Sequence, residues 1–441
     1  MQMNARRAAL ETLQRCRRDG AWSSALLDGM IRNNELDRRD AALASKLCLG
    51  VLQNSTLLDY VIDLKCTTKL EPKVREILRL GAYQLLFLDR IPARAAVNET
   101  VALCKSAGCA RASGLVNAVL RRIAELNGSL PEIPGEGSAQ WLSVRYSHPL
   151  WLCELLTEQQ GYAFAEAFLR ANNEEAPLSV QINTLKIRKE DYLRALQRAE
   201  IPYTEPAEPR DCVLLQGGQA RELPGFEEGL FYIQDPAARL AVEIAAPEPG
   251  MRVLDVCASP GGKSFAAAIR MQNKGSILSC DIHEKKLDRI ESGASRLGIG
   301  ILQTKAADAR TDDPAQHEAY DLVIADVPCS GLGVIAKKPE IRNKTRESLA
   351  GLPAIQRAIL ENQAKNVKPG GVLLYSTCTV LREENEALVN AFLADHPEYE
   401  AEAFSLFRRE IEAGMYTFWP HIDGTDGFFA AKFRKKEQGP R

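Results

Sequence analysis

The sequence predicts a chain of three parts, the last of which is an α/β domain built on a parallel, doubly wound sheet. Three observations lead to this fold class. Amphipathic helical patterns fill the first quarter of the chain, short strands and helices follow, and from Val253 onward apolar strands alternate with helices. The predicted parts are an all-α bundle at 1–125, a linker at 126–140, a small α+β module at 141–235 and the α/β domain at 236–441.

The first part combines helical periodicity with positive charge. Ala8, Leu10, Leu13 and Cys16 share one helical face, and Asp37 precedes a second apolar pattern as an expected N-cap. Residues 1–125 carry 20 Lys and Arg against 13 Asp and Glu, whereas the whole chain has a formal net charge of −2. This excess is a modest indication of nucleic-acid contact, and a solvated helical surface explains it equally well.

Composition excludes several classes of protein. No apolar stretch of 18 residues is present, so we expect no membrane span. The 11 cysteines include no Cys-x-x-Cys pair, and the five histidines show no metal-ligand spacing. We therefore expect a cytoplasmic protein without disulfides or a bound metal, and we expect it to be a monomer.

The linker and the middle module follow from local patterns. Asn127–Ser138 holds two prolines and three glycines without periodicity, which is typical of a linker. The next segment mixes predicted helices with strand-like runs. The helices are expected at Tyr162–Ala171 and Lys189–Ala199, and the strands at Leu178–Asn183, Cys212–Leu215 and Leu230–Ile233. This mixture predicts a small α+β module. Contact of this module with RNA is one hypothesis, although its aromatic residues are too few to indicate a stacking platform.

The α/β domain opens on a strand, a glycine turn and a helix. The strand is expected at Val253–Val256, the turn at Ser259–Gly262, and the helix from Lys263. A phosphate-binding loop requires glycine where Cys257 stands, and a dinucleotide fingerprint requires a third glycine that this turn lacks. Asp281, after the next predicted strand, suits the hydroxyls of a ribose. A ribose site without a phosphate loop suggests S-adenosylmethionine, and an ordinary strand–turn–helix crossover is the alternative.

Polar side chains recur where predicted strands end. Further strands are expected at Ile277–Cys280, Gln303–Ala306, Leu322–Ala325, Val372–Tyr375 and Phe428–Phe433. Functional candidates at the carboxyl ends of the strands are Cys257, Asp281, Asp308, Asp326 and Cys378. Ligands of doubly wound sheets bind at that edge. For Asp308, a buried structural carboxylate is the alternative.

Cys329 and Cys378 differ from the other cysteines because they lie in polar turn sequences, Pro-Cys-Ser-Gly and Ser-Thr-Cys-Thr. A thiol helps when the methyl acceptor is a weak carbon nucleophile such as C5 of cytosine. Addition of a thiolate at C6 gives C5 enamine character, and a base then removes the C5 proton. Cys378, Cys329 and Asp326 can serve as nucleophile, base and carboxylic partner of the cytosine edge. This chemistry alone leaves open which thiol attacks.

Several motifs together carry a family resemblance. Those of the α/β domain are Asp255–Ser264, Asp326–Gly331, Tyr375–Thr379, Glu384–Glu386, Gln234–Ala238 and Asp426–Ala431. They resemble the RNA cytosine-C5 methyltransferase family of the Fmu/Sun/NOL/NOP type. Ala96–Val101 and Leu115–Arg122 resemble late-helix signatures of the NusB-type RNA-binding fold. The resemblance implies a NusB-like domain at the front and a Rossmann-like, S-adenosylmethionine-dependent methyltransferase domain at the end. It further implies that the substrate is a cytosine of 16S ribosomal RNA.

The resemblance also implies roles for individual residues. Cys378 would form the covalent adduct, Cys329 would help to remove the C5 proton, and Asp326 would hold the cytosine edge near the cofactor. The cofactor residues implied are Cys257, Ala258, Ser259, Pro260, Gly261, Gly262, Lys263, Asp281, Asp308 and Asp326. Among them, the turn would line the methionine part, Asp281 the ribose and Asp308 the adenine side.

The sequence departs from the family pattern at four positions, and it leaves alternative functions open. Ser259, Ser264 and Val327 stand where the family more often has Ala, Thr and Ala, and Gln181 stands where it often has Arg. The rivals are a cytosine-C5 methyltransferase of another RNA such as tRNA, a methyltransferase of protein or DNA, and a non-catalytic RNA-binding protein. The basic residues considered as phosphate contacts are Arg6, Arg7, Arg15, Arg17, Arg18, Lys432, Arg434, Lys435 and Lys436.

Overall fold

The structure, a computed structural model, describes residues 3–19 and 22–437. Contacts divide the chain into two compact units. The first comprises Met1–Glu174 together with Ile335–Arg346, and the second comprises Glu175–Val334 together with Glu347–Arg441.

The first unit is helical, as the sequence predicts. Local signals define its helix ends: the Asp37 side chain accepts a hydrogen bond from the backbone N–H of Asp40, and Pro72 occupies the first turn of its helix. The helices are α1 (Ala5–Asp19), α2 (Ser23–Asn33), α3 (Arg38–Gln53), α4 (Ser55–Lys65), α5 (Pro72–Phe87), α6 (Ala93–Cys104), α7 (Ser113–Ala124), α8 (Ala139–Tyr146), α9 (Leu150–Gln160) and α10 (Tyr162–Ala171).

Helices α8 to α10 and a distant segment complete the first unit. The predicted linker at 126–140 contains no helix or strand before Ala139, where α8 begins. After α8, the Ser147 hydroxyl accepts a hydrogen bond from the backbone N–H of Leu57 at 3.0 Å. The segment Ile335–Arg346 is held by Glu340, whose carboxylate accepts from the N–H and hydroxyl of Ser23. The first compact unit therefore consists of Met1–Glu174 and Ile335–Arg346, so it contains the helices predicted at 1–125 together with α8 to α10.

The second unit begins with the small α+β module. Its antiparallel strands are β1 (Leu178–Ile182), β2 (Tyr203–Thr204), β3 (Cys212–Leu215) and β4 (Phe231–Ile233), in the order β2-β3-β1-β4. Helix α11 (Lys189–Arg198) buries Tyr192 against Phe231 of β4. The predicted α+β module is thus confirmed, with β2 as a short strand that the sequence pattern did not reveal.

The rest of the unit is an α/β domain around one large sheet. Its strands are β5 (Arg252–Asp255), β6 (Ser276–Asp281), β7 (Leu302–Ala306), β8 (Tyr320–Asp326), β9 (Val367–Thr377), β10 (Tyr399–Ala401), β13 (Met415–Phe418) and β14 (Phe428–Lys435), with a separate hairpin of β11 (Phe404–Leu406) and β12 (Arg409–Ile411). Its helices are α12 (Pro236–Ala245), α13 (Gly262–Arg270), α14 (Glu284–Leu297), α15 (Arg346–Leu349), α16 (Leu352–Ala364), α17 (Glu386–Asp395) and α18 (Pro420–Asp423).

The large sheet is mixed, so the prediction of a fully parallel sheet is wrong at one edge. The strands run in the order β10-β14-β9-β8-β5-β6-β7, and the pairs from β9 to β7 are parallel. Strand β14 is antiparallel to β9, and β10 and β13 are antiparallel to β14. An apolar run such as Phe428–Phe433 carries no information on direction, which the connecting chain decides.

The order of the parallel strands creates a switch point between β5 and β8. From β5 the chain first builds β6 and β7 on one side, then returns to build β8 and β9 on the other. Register aligns the ends of neighbouring strands: Asp281 pairs with Ala306, and Asp326 with Ser376. Loops that follow these strands therefore meet over one edge of the sheet, where ligands of this architecture bind.

Neither a membrane-spanning helix nor a metal-binding group occurs among the described residues. Among helices of residues 3–19 and 22–437, none is long and apolar enough to cross a membrane. Within the same ranges, no group of three or more His, Cys, Asp or Glu side chains has a geometry suited to a metal ion.

Candidate active site

Two cysteine thiols meet above the carboxyl ends of adjacent strands. Cys378 directly follows β9, and Cys329 lies three residues beyond β8. Their Sγ atoms are 3.1 Å apart, and both side chains are partly exposed. The structure thus brings together the two cysteines that the sequence singled out. Of the other nine, seven are buried, and Cys109 in the first unit and Cys257 beside the glycine turn are partly exposed.

The environment of Cys329 disfavours its thiolate form. The Cys378 thiol and burial raise the pKa of the Cys329 thiol well above its ordinary value, and the carboxylates of Glu384 and Asp326 add to this effect. A thiolate at Cys329 is disfavoured because it would be buried beside these negative charges.

Asp326, at the end of β8, is held on both carboxylate oxygens. Lys263 Nζ lies 2.6 Å from Oδ2, and the Ser376 hydroxyl donates to Oδ1 at 2.8 Å. Lys263 itself is buried, with Nζ 4.9 Å from the centre of the Phe428 ring. This fixed carboxylate lines a cavity next to β8, and it lies three residues before Cys329 in the chain.

A cavity of about 400 Å³ opens along the carboxyl ends of β5 to β8. Its wall carries both acidic and basic side chains, together with apolar side chains. The lining residues are Val256, Cys257, Ser259, Asp281, Ile282, His283, Lys286, Ala307, Asp308, Ala309, Arg310, Asp326, Val327, Pro328, Ile355 and Ile359. Of the predicted cofactor residues, Cys257, Ser259, Asp281, Asp308 and Asp326 line this cavity.

The remaining predicted cofactor residues form the glycine turn and the start of helix α13. Gly261 has φ +107°, and a Cβ there would lie 2.5 Å from the Phe265 ring, so no other residue fits without strain. Gly262 begins helix α13, and Lys263 points to Asp326. Ala258, Pro260, Gly261 and Gly262 thus shape the turn rather than line the cavity.

Two aspartates on the cavity wall are fixed by backbone groups. Asp281 Oδ1 accepts the N–H of His283 at 2.9 Å, and Lys286 Nζ lies 3.8 Å from the same oxygen. Asp308 accepts three hydrogen bonds from Arg310, which lower the pKa of the Asp308 carboxyl. Such carboxylates suit ribose hydroxyls and an amino group, and the cavity therefore fits an adenosyl ligand with a positively charged sulfonium centre.

Asp255 and Cys257, near the glycine turn, both have a pKa that is raised by burial. Asp255 is fully buried and accepts the Ser264 hydroxyl at 2.7 Å; burial raises the pKa of Asp255 to about 7. Burial likewise raises the pKa of the Cys257 thiol. Both groups are therefore predominantly structural or lining groups rather than reactive ones.

Sequence reasoning missed the polar residues that hold the two cysteine loops. Gln356 of α16 donates to the Pro328 carbonyl and to Glu384, and Asn385 contacts the residues on both sides of Cys378. Glu384 and Asn385 belong to a motif that carried the family resemblance, but their types alone assign no role. Gln356 lies in an ordinary helical pattern, so no sequence signal marked it.

Comparison with known families places three matches along the chain. Residues 3–125 match the NusB family, and residues 148–221 match a ferredoxin-like domain of RsmF/B-like methyltransferases. Residues 242–434 match the family described as 16S rRNA methyltransferase RsmB/F. These matches confirm the predicted NusB-like, α+β and methyltransferase parts and their order.

Individual relatives extend over nearly the whole chain. The probable ribosomal RNA small subunit methyltransferase B of Bacillus subtilis (strain 168) is 35% identical over 98% of this chain and 99% of its own length. The ribosomal RNA small subunit methyltransferase B of Vibrio cholerae (serotype O1) is 34% identical, with 98% of both chains covered. A solved structure titled "Crystal Structure of PH0851" superposes with a TM-score of 0.82 at 27% identity, covering 98% of each chain.

These findings join the geometry to a family. The cavity fits the predicted cofactor, S-adenosylmethionine, which the family match confirms. The predicted resemblance to RNA methyltransferases is also confirmed. The chain belongs to the 16S rRNA methyltransferase RsmB/F family.

Proposed function

We propose that the protein transfers a methyl group from S-adenosylmethionine to C5 of a cytosine in small-subunit (16S) ribosomal RNA, through a covalent adduct with the enzyme. The observation that carries this proposal is the contact between the Cys329 and Cys378 thiols at 3.1 Å, beside the fixed carboxylate of Asp326. Transfer to nitrogen or oxygen needs no thiol. A thiol pair next to the cofactor cavity is suited to a carbon acceptor that must first be activated.

Cys378 is the proposed nucleophile. Its Sγ adds to C6 of the cytosine, which gives C5 the electron density to take the sulfonium methyl group that the cofactor supplies. The resemblance assigns this role to the second cysteine, which directly follows β9 and lies 3.1 Å from Cys329.

Cys329 is the proposed base in the second half of the reaction. After methyl transfer, a base takes the C5 proton; the electrons of the C5–H bond form the C5–C6 double bond, the C6–S bond breaks, and Cys378 leaves as a thiolate. Cys329 Sγ touches Cys378 Sγ, so it lies within reach of the adduct. The step requires Cys329 as a thiolate, so its own proton passes to solvent first; the raised pKa of Cys329 then makes this thiolate a strong base for the C5 proton.

Asp326 is proposed to hold the amino edge of the cytosine. Lys263 and Ser376 fix its two oxygens, so the carboxylate is oriented before the base arrives. The target base must leave its stack to reach this depth, as in other enzymes that act on bases. The lining residues Asp281 and Asp308 are proposed to hold the ribose and the adenine side of the cofactor.

The domain roles and the assembly state are part of the same proposal. The domains are 1–125 for a helical RNA-binding domain, 141–235 for an RNA-facing module and 236–441 for catalysis. We propose that the protein acts as a monomer in the cytoplasm. Both cysteines, Asp326 and the cavity lie within the second unit of a single chain, which supports catalysis without a second copy.

The experiment supplies the purified chain with unmodified 16S ribosomal RNA and methyl-labelled S-adenosylmethionine. Digestion to nucleosides is expected to place the label in 5-methylcytidine. Transfer RNA, double-stranded DNA and bulk ribosomal protein serve as competing acceptors. Label in a transfer RNA alone would move the substrate to another RNA, label in protein would refute the carbon chemistry, and cofactor binding without transfer would favour a non-catalytic RNA-binding protein.

A further inference from the structure

Asn385 holds the Cys378 loop on both sides of the cysteine. Its side-chain carbonyl Oδ1 accepts the hydroxyl of Thr377 at 2.6 Å, and its amide Nδ2 donates to the carbonyl of Thr379 at 3.0 Å. All three residues are fully buried. One side chain therefore fixes the chain immediately before and immediately after Cys378.

The position of Asn385 makes this use of its side chain unusual. It is the N-cap residue of α17, where an asparagine commonly accepts a hydrogen bond from the first turn of its own helix. No such capping bond is formed here. The helix thus forgoes the stabilisation of a cap, and the amide is directed to the Cys378 loop instead.

A second contact set holds the Cys329 loop. Glu384 Oε2 accepts the backbone N–H of Ser330 at 2.9 Å and the Gln356 amide at 2.6 Å. The same Gln356 nitrogen donates to the carbonyl of Pro328 at 3.0 Å. The residues before and after Cys329 are therefore tied to one carboxylate and one amide.

Glu384 is costly to bury, which argues that its place is functional. It is 1% exposed, and within residues 3–19 and 22–437 it forms no ion pair and its Oε1 has no hydrogen-bond partner. Tyr375 of β9 donates its hydroxyl to the Glu384 carbonyl at 2.7 Å, so the backbone of this turn is also fixed. A buried, unpaired carboxylate weakens a fold unless it serves another purpose.

The two loops are joined directly as well. The hydroxyls of Ser330 and Thr379 lie 2.6 Å apart, and the Gly333 N–H donates to the Cys378 carbonyl at 3.0 Å. A Cβ on Gly333 would lie 1.8 Å from the carbonyl oxygen of Gly427, so the chain after Cys329 also packs closely against the segment that precedes β14. The distance between the thiols is thus set by a network rather than by one contact.

We propose that the adjacent residues Glu384 and Asn385 are positioning residues that act on different steps of the reaction. Asn385 places Cys378 for addition to the base, and Glu384, together with Gln356, places Cys329 for release of the methylated product. This inference rests on the proposed function, because it requires that the two thiols serve separate steps. Neither residue needs to touch the substrate.

The test follows the covalent adduct as well as turnover. Asn385→Ala in a Cys329→Ala background is expected to slow adduct formation with 16S ribosomal RNA about 100-fold, because small displacements of a reacting group have effects of that size. Glu384→Ala, with both cysteines present, is expected to form the adduct at the parental rate and release it about 100-fold more slowly. Denaturing gels measure both rates.

Conservative variants separate positioning from charge. In Glu384→Gln, a side-chain oxygen can still accept from Ser330 and Gln356, so release is expected to recover to within a few-fold of the parent. Gln356→Met keeps the side-chain volume and removes both of its hydrogen bonds; it is expected to slow release and leave addition unchanged. This variant also serves if Glu384→Ala does not fold. The KM for S-adenosylmethionine is expected to be unchanged throughout.

The outcomes distinguish this inference from the proposed function. Absence of any adduct in Cys329→Ala itself would overturn the proposed function. An adduct in Cys329→Ala, combined with equal slowing of addition and release by both Asn385→Ala and Glu384→Ala, would indicate a general structural role and overturn the assignment of separate steps. Failure of Glu384→Gln to recover release would show that the charge, not the hydrogen-bond geometry, matters, and would also overturn the inference.

Discussion

Cys329 Sγ lies 3.1 Å from Cys378 Sγ, although 49 positions separate the two residues in the chain. The contact follows from topology: β8 and β9 are parallel neighbours, and each cysteine lies just beyond the carboxyl end of its strand. Because a parallel pair brings such ends together, two short polar turns form one site. The predictions below test what each part of that site does.

The Cys378 thiol is predicted to be essential for methyl transfer. Cys378→Ala removes the sulfur that would add to C6, so transfer to 16S ribosomal RNA is expected to fall below detection. The cavity residues are not altered, so S-adenosylmethionine is expected to bind with a dissociation constant near that of the parent. Calorimetry and label transfer measure these quantities, and turnover near the parental rate would exclude Cys378 as the nucleophile.

Asp281 is predicted to contribute to cofactor affinity through its charge. Asp281→Asn keeps the shape of the side chain but replaces charge-assisted hydrogen bonds to the ribose, which are worth about 1.5–3 kcal/mol. The dissociation constant for S-adenosylmethionine is therefore expected to rise by about 10- to 100-fold. Asp288→Asn, at an exposed site on the following helix, is the matched control. Equal affinities of the two variants would remove Asp281 from the cofactor site.

The ion pair between Lys263 and Asp326 is predicted to support the chemical step. Lys263→Met keeps a long side chain in its buried place but leaves Oδ2 of Asp326 without its cation. The rate of methyl transfer is expected to fall about 100-fold, as when a charge-assisted contact of nearly 3 kcal/mol is lost. Lys285→Met, at an exposed position, is the control. A Lys263→Met enzyme as fast as this control would contradict the role.

Asp255 is predicted to make stability fall as pH rises. The pKa of this buried carboxyl is raised from 3.8 to about 7, so between these values the folded protein retains a proton that the unfolded chain has released. Its contribution to the free energy of unfolding therefore decreases from about pH 4 to pH 7 and then levels off. Asp255→Asn removes this dependence and keeps an oxygen for the Ser264 hydroxyl.

The measurement is denaturant unfolding of parent and Asp255→Asn proteins at several pH values without cofactor. The variant is expected to gain stability relative to the parent between pH 5 and pH 8. A difference that stays constant over this range would show that Asp255 is ionised in the folded protein.

The strand ends were predictable, and so were the site residues that lie on them. A buried parallel strand is a continuous apolar run, so the polar residues that end it stand out, as Asp281 and Asp326 do. The lateral order of the strands brings Cys329 to Cys378, and the shared edge of a doubly wound sheet makes that meeting predictable without side-chain detail.

The supporting contacts were not predictable, for a physical reason. Gln356 donates to the Pro328 carbonyl and to Glu384, and Asn385 bonds to Thr377 and Thr379. Such contacts depend on how the loops fold and leave no periodic pattern in the sequence. The edge strands β10 and β13 are only three and four residues long, and their conformation depends on pairing with β14 rather than on their own residues. The segment Ile335–Arg346 likewise owes its place in the first unit to side chains such as Glu340.

The central claim is that the protein methylates a cytosine through a covalent bond to Cys378, which Cys329 helps to break. The most direct measurement is migration on a denaturing gel of Cys329→Ala incubated with 16S ribosomal RNA and S-adenosylmethionine, beside Cys329→Ala/Cys378→Ala. The account predicts a slowly migrating protein–RNA band with the single variant and none with the double variant. A band that persists in the double variant, or its absence from a Cys329→Ala protein that binds cofactor and RNA, would contradict it.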